Sequence, residues 1–334
     1  DVLSKSFFVR KSNKSYNSEL GVPLTILGCE TGWNNAFMWL GNIFEGIALI
    51  FLKNHYPKWL ILEVGADRPG DIKSITKWLK PDVVVITRFG TVPVHVEYFD
   101  SPEKLIEEKS HLVSALKKSG FLVLNNDDDN VLSFRKKWSG MIMTYGFEKG
   151  SAVIASNYKI MYDENRKLIG VTFKVDYDGS SVPVRLLGVL GKQHVYAALT
   201  ALSVGVHLKL NMVSIVQALE VQNTPPGRMK ILRGIKNSYI IDDSYNSSPV
   251  AIKAAFDVLK ELEIEEKTSG KKIAVLGDML ELGKYLERIL LEGDIVLIKG
   301  SQAMRMERTV GEIMAHPERK AELLVRQEQE WLER

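Results

Sequence analysis

The stretch at residues 80–110, KPDVVVITRFGTVPVHVEYFDSPEKLIEEKS, decides the fold class. Its continuous apolar, β-branched run at 83–87 is the pattern of a strand buried on both faces of a parallel sheet. Pro81 closes a short helix at 71–79 before it, and a longer helix is expected from Pro102 to about Lys118. Gly120 leads to a second apolar run at 121–124, and residues 141–144 supply a third. Upstream, 59–64 reads as a buried strand ending near the carboxylate of Glu63. Strands alternating with helices mean an α/β domain.

Further upstream, residues 23–35, PLTILGCETGWNN, read as a short β-rich run, a Gly-containing turn and the start of a long apolar helix. Strand, phosphate loop and helix are joined in this way in P-loop proteins. Such a loop needs glycines whose backbone N–H groups wrap phosphates, a Lys for the β/γ-phosphates and a Ser/Thr hydroxyl for Mg²⁺. After Thr31 and Gly32 the chain reads Trp33, Asn34, Asn35, Ala36 and Phe37, so the second Gly, the Lys and the hydroxyl are missing. Residues 36–52, AFMWLGNIFEGIALIFL, include Glu45, Gly41 and Gly46 and fall short of the about 20 apolar residues of a membrane span. The expectation is a helix buried beside a parallel sheet, and no transmembrane span.

Downstream the pattern changes. Residues 152–187 read as β-rich segments broken at Asp163-Glu164-Asn165 and Asp178-Gly179-Ser180, a small antiparallel part. Helices are expected at 193–208 and 212–220, and Asn223-Thr224-Pro225-Pro226-Gly227 is the clearest linker in the chain. Alternation then restarts with strands at 238–241, 273–276 and 295–298, a helix at 250–262 and a charged helical tail at 317–334. The expected α/β architecture is a P-loop-type central domain, its mostly parallel sheet flanked by helices and extended by the antiparallel part, then a smaller Rossmann-like domain. The expected divisions are an N-terminal remnant or linker at 1–20, a central domain at 21–223 and a C-terminal domain at 224–334.

The 334 residues are 45% hydrophobic, ample for packed cores. A net charge of +3 is too mild to point to nucleic acid. The single cysteine, Cys29, excludes an internal disulfide and a Cys-rich metal site and fits a reducing, cytoplasmic setting. The polar opening, 1–20, does not read as a signal peptide, and without an initiator Met the chain reads as beginning inside a longer gene product.

Five stretches, in order, carry a resemblance to a known family: LEVGADRPGDI at 62–72, the block at 80–110, Pro226-Gly227-Arg228 with IDDSYNSSP at 241–249, VLGDMLELG at 275–283, and IVLIKGSQAMRME at 295–307. They resemble the Mur ligase family, most closely its D-alanyl-D-alanine-adding branch. The resemblance implies an ATP-dependent ligase that activates a carboxylate as an acyl phosphate for attack by an amine. Its implied substrates are a UDP-MurNAc-peptide and D-alanyl-D-alanine, its cofactors ATP and Mg²⁺, and its expected state a monomer. Charge gathering on phosphates and the acyl group would require cations and fixed positive groups around them.

Carried over by resemblance, Glu63, His95 and Lys109 would form the metal site, Lys109 as a carbamate, with His95 and Lys109 serving catalysis. Thr31, Gly32, Asn34 and Asn35 are the candidate remnant of the phosphate loop. Arg228 would reach the phosphates, and Asp243, Tyr245 and Asn246 would line the base and ribose. Asp278 and Glu281 would face the incoming dipeptide. Read from spacing alone, Lys109 is a helix-surface lysine among carboxylates, His95 a loop residue, and Ser247 or Ser248 before Pro249 a helix cap.

The chain departs from the family at three places. The phosphate loop lacks its Lys and hydroxyl, for which Arg68 or Arg88 could substitute. Ala197 stands where the family has an Asn that contacts adenine. Between Gly283 and Gly293 the C-terminal domain is short, and the N-terminal domain that holds the uridine nucleotide is missing or reduced to 1–20. Two readings follow, an active ligase or a non-catalytic binding or scaffold relative. The three metal-type residues favour the ligase. A relative that glutamylates folate or another small acid fits less well with Glu281-Leu282-Gly283 and with the KGSQAMRME run.

Overall fold

The computed structural model describes residues 1–12, 16–89, 99, 101–222, 224–264, 270–277, 286, 289–328 and 331. The chain divides into two compact units, 1–153 with 200–215, and 154–199 with 216–334. These divisions do not fall at the linker 223–227.

The first unit is built on three parallel strands, β3 (Val83–Ile86), β4 (Phe121–Asn125) and β5 (Met141–Gly146), which follow β1 (Val9–Lys11) and β2 (Trp59–Ile61) in the chain. Val83 pairs with Phe121 and Phe121 with Met141, so β4 is central. All five of its residues are buried, which is why this segment is an unbroken apolar run. Val84, Ile86, Leu122, Leu124, Val131 and Phe134 form one core cluster, joined by Val113 and Leu116 at the end of the helix Pro102–Ala115. Ile72 of the helix Asp71–Trp78 packs with Leu105, Ala66 and Phe99 in a second. Strands β1 and β2 pair with each other, in parallel, as a separate two-stranded sheet.

Two expectations for the start of the chain are corrected. Residues 23–27 are not a strand: they belong to α1 (Gly21–Leu27). Pro23 falls in the first turn, where its missing N–H removes no intrahelical bond. Gly28, at φ 78°, closes α1, its N–H bonded to the carbonyls of Leu24 and Thr25 while the N–H of Cys29 also reaches Leu24. A glycine in the left-handed region with these two N–H groups turned back is a helix C-cap, and that outweighs the β-propensity of Thr25 and Ile26.

The apolar helix forms as expected, as α2 (Ala36–Phe51), but none of its residues is buried. Gly46 lies against Leu27 of α1, and Asn42 donates to the Glu30 carbonyl. At 100° per residue the other side carries Phe37, Leu40, Ile43, Phe44, Ile47, Ile50 and Phe51 in one open stripe. Phe37 is 86% exposed and Phe51 79%. Among the described residues, no helix is long and apolar enough to cross a membrane.

The second unit carries an antiparallel meander, β6 (Val153–Tyr162), β7 (Leu168–Tyr177) and β8 (Ser180–Leu187). Its turns are the anticipated ones. Asp163 Oδ1 accepts from the N–H groups of Asn165 and Lys167, and Asp178 with Gly179, at φ 47° and 72°, forms a two-residue hairpin loop. After the helices Lys192–His207 and Met212–Glu220 comes a second sheet of four strands, in the spatial order Lys272–Leu276, Ile295–Lys299, Tyr239–Asp243 and Lys230–Arg233. These strands are β9 (Lys230–Arg233), β10 (Tyr239–Asp243), β11 (Lys272–Leu276) and β12 (Ile295–Lys299). The last three are parallel and β9 is an antiparallel edge. Ile240, Val296, Ile298, Leu290, Val310 and Ile313 fill its core.

The tail is not the continuous helix expected over 317–334. Short turns at Pro317–Arg319 and Lys320–Leu323 give way to extended backbone at Leu324.

Candidate functional site

In open α/β sheets, ligands bind beyond the carboxyl ends of the parallel strands. In the second unit, β10 and β12 end in register, Asp243 opposite Lys299. Lys299 Nζ lies 2.7 Å from Asp243 Oδ2 and donates to the Asn246 carbonyl at 2.9 Å. The Lys299 side chain is 1% exposed and that of Asp243 15%, so the pair closes the sheet end from beneath. Burial raises the Asp243 pKa, and Lys299 offsets only part of that rise. The other oxygen, Oδ1, accepts from the Met229 N–H. Adjacent Asp242 is fully buried, its Oδ2 has no partner among the described residues, and desolvation pushes its pKa up to about 6.

Gly227, at φ 72°, turns the linker toward this end of the sheet, and its carbonyl accepts from the Tyr245 N–H. A side chain there would meet Tyr245 backbone at 3.0 Å and Val325 at 3.2 Å, so the close approach requires glycine. The exposed Arg228 lays its guanidinium 4.4 Å from the Tyr245 ring centre. His194 Nε2 stands 2.9 Å from the Arg228 carbonyl; a carbonyl only accepts, so that nitrogen carries the proton. Burial lowers the His194 pKa and keeps the ring neutral. Ser248 caps the helix Pro249–Glu261 by accepting from Ala251, as its position before Pro249 suggests. Thus Arg228, Asp243, Tyr245 and Asn246, assembled from two sequence stretches, do meet at one sheet end.

Several residues around Tyr245 were not anticipated. Arg326 donates to Glu307 Oε2 at 3.0 Å and to the Tyr245 carbonyl, and its guanidinium lies 5.2 Å from the Tyr245 ring centre. Arg305 reaches the other Glu307 oxygen and the Trp331 carbonyl. Lys299 had a signal, a lysine ending the apolar strand IVLIK, and so did Arg305 and Glu307 within the family-like run 295–307. Arg326 and Trp331 had none, because a charged tail reads as a solvated helix.

In the first unit, β2 ends at Ile61, two residues before Glu63, which is exposed in the loop beyond the strand. Lys109, on the helix Pro102–Ala115, is not the surface lysine that spacing suggests. Its Nζ lies 5.2 Å from the Phe89 ring centre, and burial lowers its pKa below the usual lysine range. Asp128 fixes the chain leaving β3, accepting from the Phe89 N–H at 2.7 Å while its other oxygen caps residues 129–132. His95, Asp278 and Glu281 lie outside the described residues. Among the described residues, no group of three or more His, Cys, Asp or Glu side chains is placed to hold a metal ion.

The strand expected to lead into residues 31–35 is corrected. No strand leads into this turn, since α1 precedes it. Thr31 receives on its hydroxyl the N–H of Trp33, and its own N–H donates to the Tyr16 hydroxyl. Asn35 caps α2, its Oδ1 accepting from Phe37 and Met38. A side chain at Gly32 would strike the Trp39 ring at 2.8 Å. Asn34 is exposed at the turn. Thr31 thus braces the turn, and Asn35 starts the helix.

The chain is similar to known proteins over most of its length. The family description "Mur ligase middle domain" matches residues 46–205, and "Mur ligase, glutamate ligase domain" matches 227–293. The UDP-N-acetylmuramoyl-tripeptide–D-alanyl-D-alanine ligase of Bacillus subtilis is 26% identical over 286 residues, covering 86% of this chain and 53% of the relative. The protein of that name from Buchnera aphidicola is 28% identical over 276 residues, covering 81% and 51%. The chain thus spans about half the length of the curated relatives it matches. Among solved structures, MurF ligase from Thermotoga maritima in complex with ADP aligns with a TM-score of 0.73 at 22% identity, over 93% of this chain and 74% of that one. MurF from Acinetobacter baumannii aligns at 0.70 and 21%, over 93% and 71%. With both family descriptions matched in order and the five sequence stretches in place, the chain belongs to the Mur ligase family.

Proposed function

We propose that this chain carries nucleotide-using and amine-joining parts of a peptidoglycan-precursor ligase, which adds D-alanyl-D-alanine to a UDP-MurNAc-peptide through an acyl phosphate. The observation that carries the reading is the buried Asp243–Lys299 pair at the ends of two parallel strands, with Tyr245, Asn246 and Arg228 beside it. The matched relatives bear this activity in their names, and one of the similar structures holds ADP.

The residues fit a nucleotide. Asp243 is held by Lys299 as an acceptor for ribose hydroxyls, Tyr245 offers a ring to the base, and Arg228 is a cation for phosphate. They also fit Mg²⁺ in donor chemistry: Glu63 is an exposed carboxylate, and His95 completes the expected set. Lys109 becomes an oxygen ligand once carbamylated, a reaction of the neutral amine, and its lowered pKa enlarges the neutral fraction. ATP would supply the phosphoryl group that activates a carboxylate, and Mg²⁺ would offset charge on the phosphates. Asp278 and Glu281 would face the dipeptide, and the functional division is proposed at 223/224, in the interval between the two family matches. We place the activity in the cytoplasm, with a monomer as the working unit.

The test is calorimetric titration of Mg²⁺ with a non-hydrolysable ATP analogue, followed by an assay of D-alanyl-D-alanine-dependent ATP hydrolysis. Micromolar binding lost in Asp243→Ala supports the reading. Absence of binding at millimolar nucleotide rejects it for this chain and leaves the non-catalytic binding relative.

A further inference from the structure

We infer that Arg326 is a positioning residue that fixes the segment 243–246 in its nucleotide-binding conformation, an inference that rests on the function proposed above. The tail carrying it is anchored by tertiary contacts. Arg326 has φ 56°, a left-handed conformation uncommon for a residue with a side chain, and its side chain is only 4% exposed. Such backbone persists where the surroundings over-determine it.

Those surroundings converge on Tyr245. Arg326 bonds the Tyr245 carbonyl through Nη2 and Glu307 through Nη1, and its guanidinium lies near the rings of Tyr245 and Trp331, 5.2 and 5.7 Å from their centres. Glu307, fully buried, is shared with Arg305, which in turn holds the Trp331 carbonyl at 2.9 Å. Val325, the preceding residue, packs at Gly227, whose carbonyl receives the Tyr245 N–H. The Tyr245 peptide is therefore held on both sides, its N–H by Gly227 and its carbonyl by Arg326.

The next carbonyl, that of Asn246, is held by Lys299. Two buried cations thus grip successive carbonyls of the loop that follows Asp243. Arg228 approaches the Tyr245 ring as well, 4.4 Å from its centre. The planar guanidinium reaches Glu307 and the Tyr245 carbonyl through two separate nitrogens while lying near both rings; the single nitrogen of an ammonium lacks that fork and that planar face. The clamp acts through the loop and touches no reacting group. Its effect belongs on nucleotide affinity.

Two readouts on the intact chain test it: calorimetric binding of Mg²⁺ with a non-hydrolysable ATP analogue, and hydrogen exchange of the 239–247 peptide without nucleotide. Arg326→Lys keeps a charge opposite Glu307 and so keeps the fold even if Arg326→Ala does not. The expected result for Arg326→Lys is a dissociation constant about tenfold weaker and exchange at 243–247 about tenfold faster, with exchange elsewhere unchanged. A folded Arg326→Lys protein with wild-type exchange in this peptide, or with accelerated exchange and an unaltered dissociation constant, overturns the inference. If the wild type binds no analogue, the proposed function falls. The exchange readout then still decides whether the clamp exists.

Discussion

Asp243 and Lys299 end neighbouring parallel strands in register and meet at 2.7 Å, both largely out of solvent. Removing one partner of such a pair leaves an uncompensated buried charge, which costs about 3–5 kcal/mol. Lys299→Met is therefore expected to lower the unfolding free energy by about that amount and to abolish nucleotide binding. The double variant Lys299→Met with Asp243→Leu should recover most of the stability and none of the binding. Urea titration of the single and double variants checks both.

Asp242 makes stability depend on pH. Its pKa is 3.8 by reference and about 6 in the fold, raised chiefly by burial. The folded state thus favours the protonated acid. Its contribution is fullest below pH 3.8 and is lost as pH rises through about 6, a difference of roughly 3 kcal/mol. Asp242→Asn keeps an oxygen for the Ser244 N–H and carries no charge. Its stability advantage over wild type should grow between about pH 4 and pH 6 and level off above, as read from urea midpoints across that range.

Lys109 separates two chemical roles. If it acts as a carbamate, arginine cannot replace it; if it acts as a cation, arginine can. Both Lys109→Ala and Lys109→Arg are expected to lower D-alanyl-D-alanine-dependent ATP hydrolysis by about 10²-fold or more. An intact mass spectrum taken in bicarbonate should show the added carbon dioxide on the wild type alone. Arginine activity near wild type would assign Lys109 as a plain cation.

Gly28 carries the end of α1 at φ 78°, and a Cβ there would stand 2.7 Å from the Arg10 guanidinium carbon. Arg10 in turn donates to the Ile26 carbonyl at 2.6 Å. Gly28→Ala should cost about 1–2 kcal/mol through left-handed strain alone, and more if Arg10 is displaced. Thermal unfolding of Gly28→Ala beside Arg10→Ala measures the two contributions.

The open stripe of α2 makes a contrasting prediction. Phe37, Phe44 and Phe51 are 86%, 62% and 79% exposed, so little burial is lost on their removal. Each Phe→Ser change should shift the unfolding free energy by no more than about 0.5 kcal/mol. Binding of a hydrophobic dye should fall sharply in the triple variant.

The α/β alternation was legible because β4, wholly buried, and β3, half buried, are apolar runs with no helical period, and because the Asp163 and Asp178-Gly179 turns carry their own chemistry. Residues 23–27 misled for the opposite reason: their β-propensity is local and weak, whereas the Gly28 cap and the turned-back N–H of Cys29 are decisive only in three dimensions. Glu63 was placed one step too close to the sheet because a strand's last paired residue depends on its neighbour. Here β1 pairs no further than Ile61.

The candidate site divides in the same way. The sequence by itself determined the family, the strand–helix order and the motif that brings Asp243, Tyr245 and Asn246 together, since they lie within four residues at one strand end. Only the tertiary structure decided that Lys299 faces Asp243, that Arg326 and Arg305 share Glu307, and that Asn35 caps helix α2. These relationships join residues up to 56 positions apart in the chain. Charge pairing is specified by distance in space, and a buried lysine or arginine is written in the same letters as a solvated one.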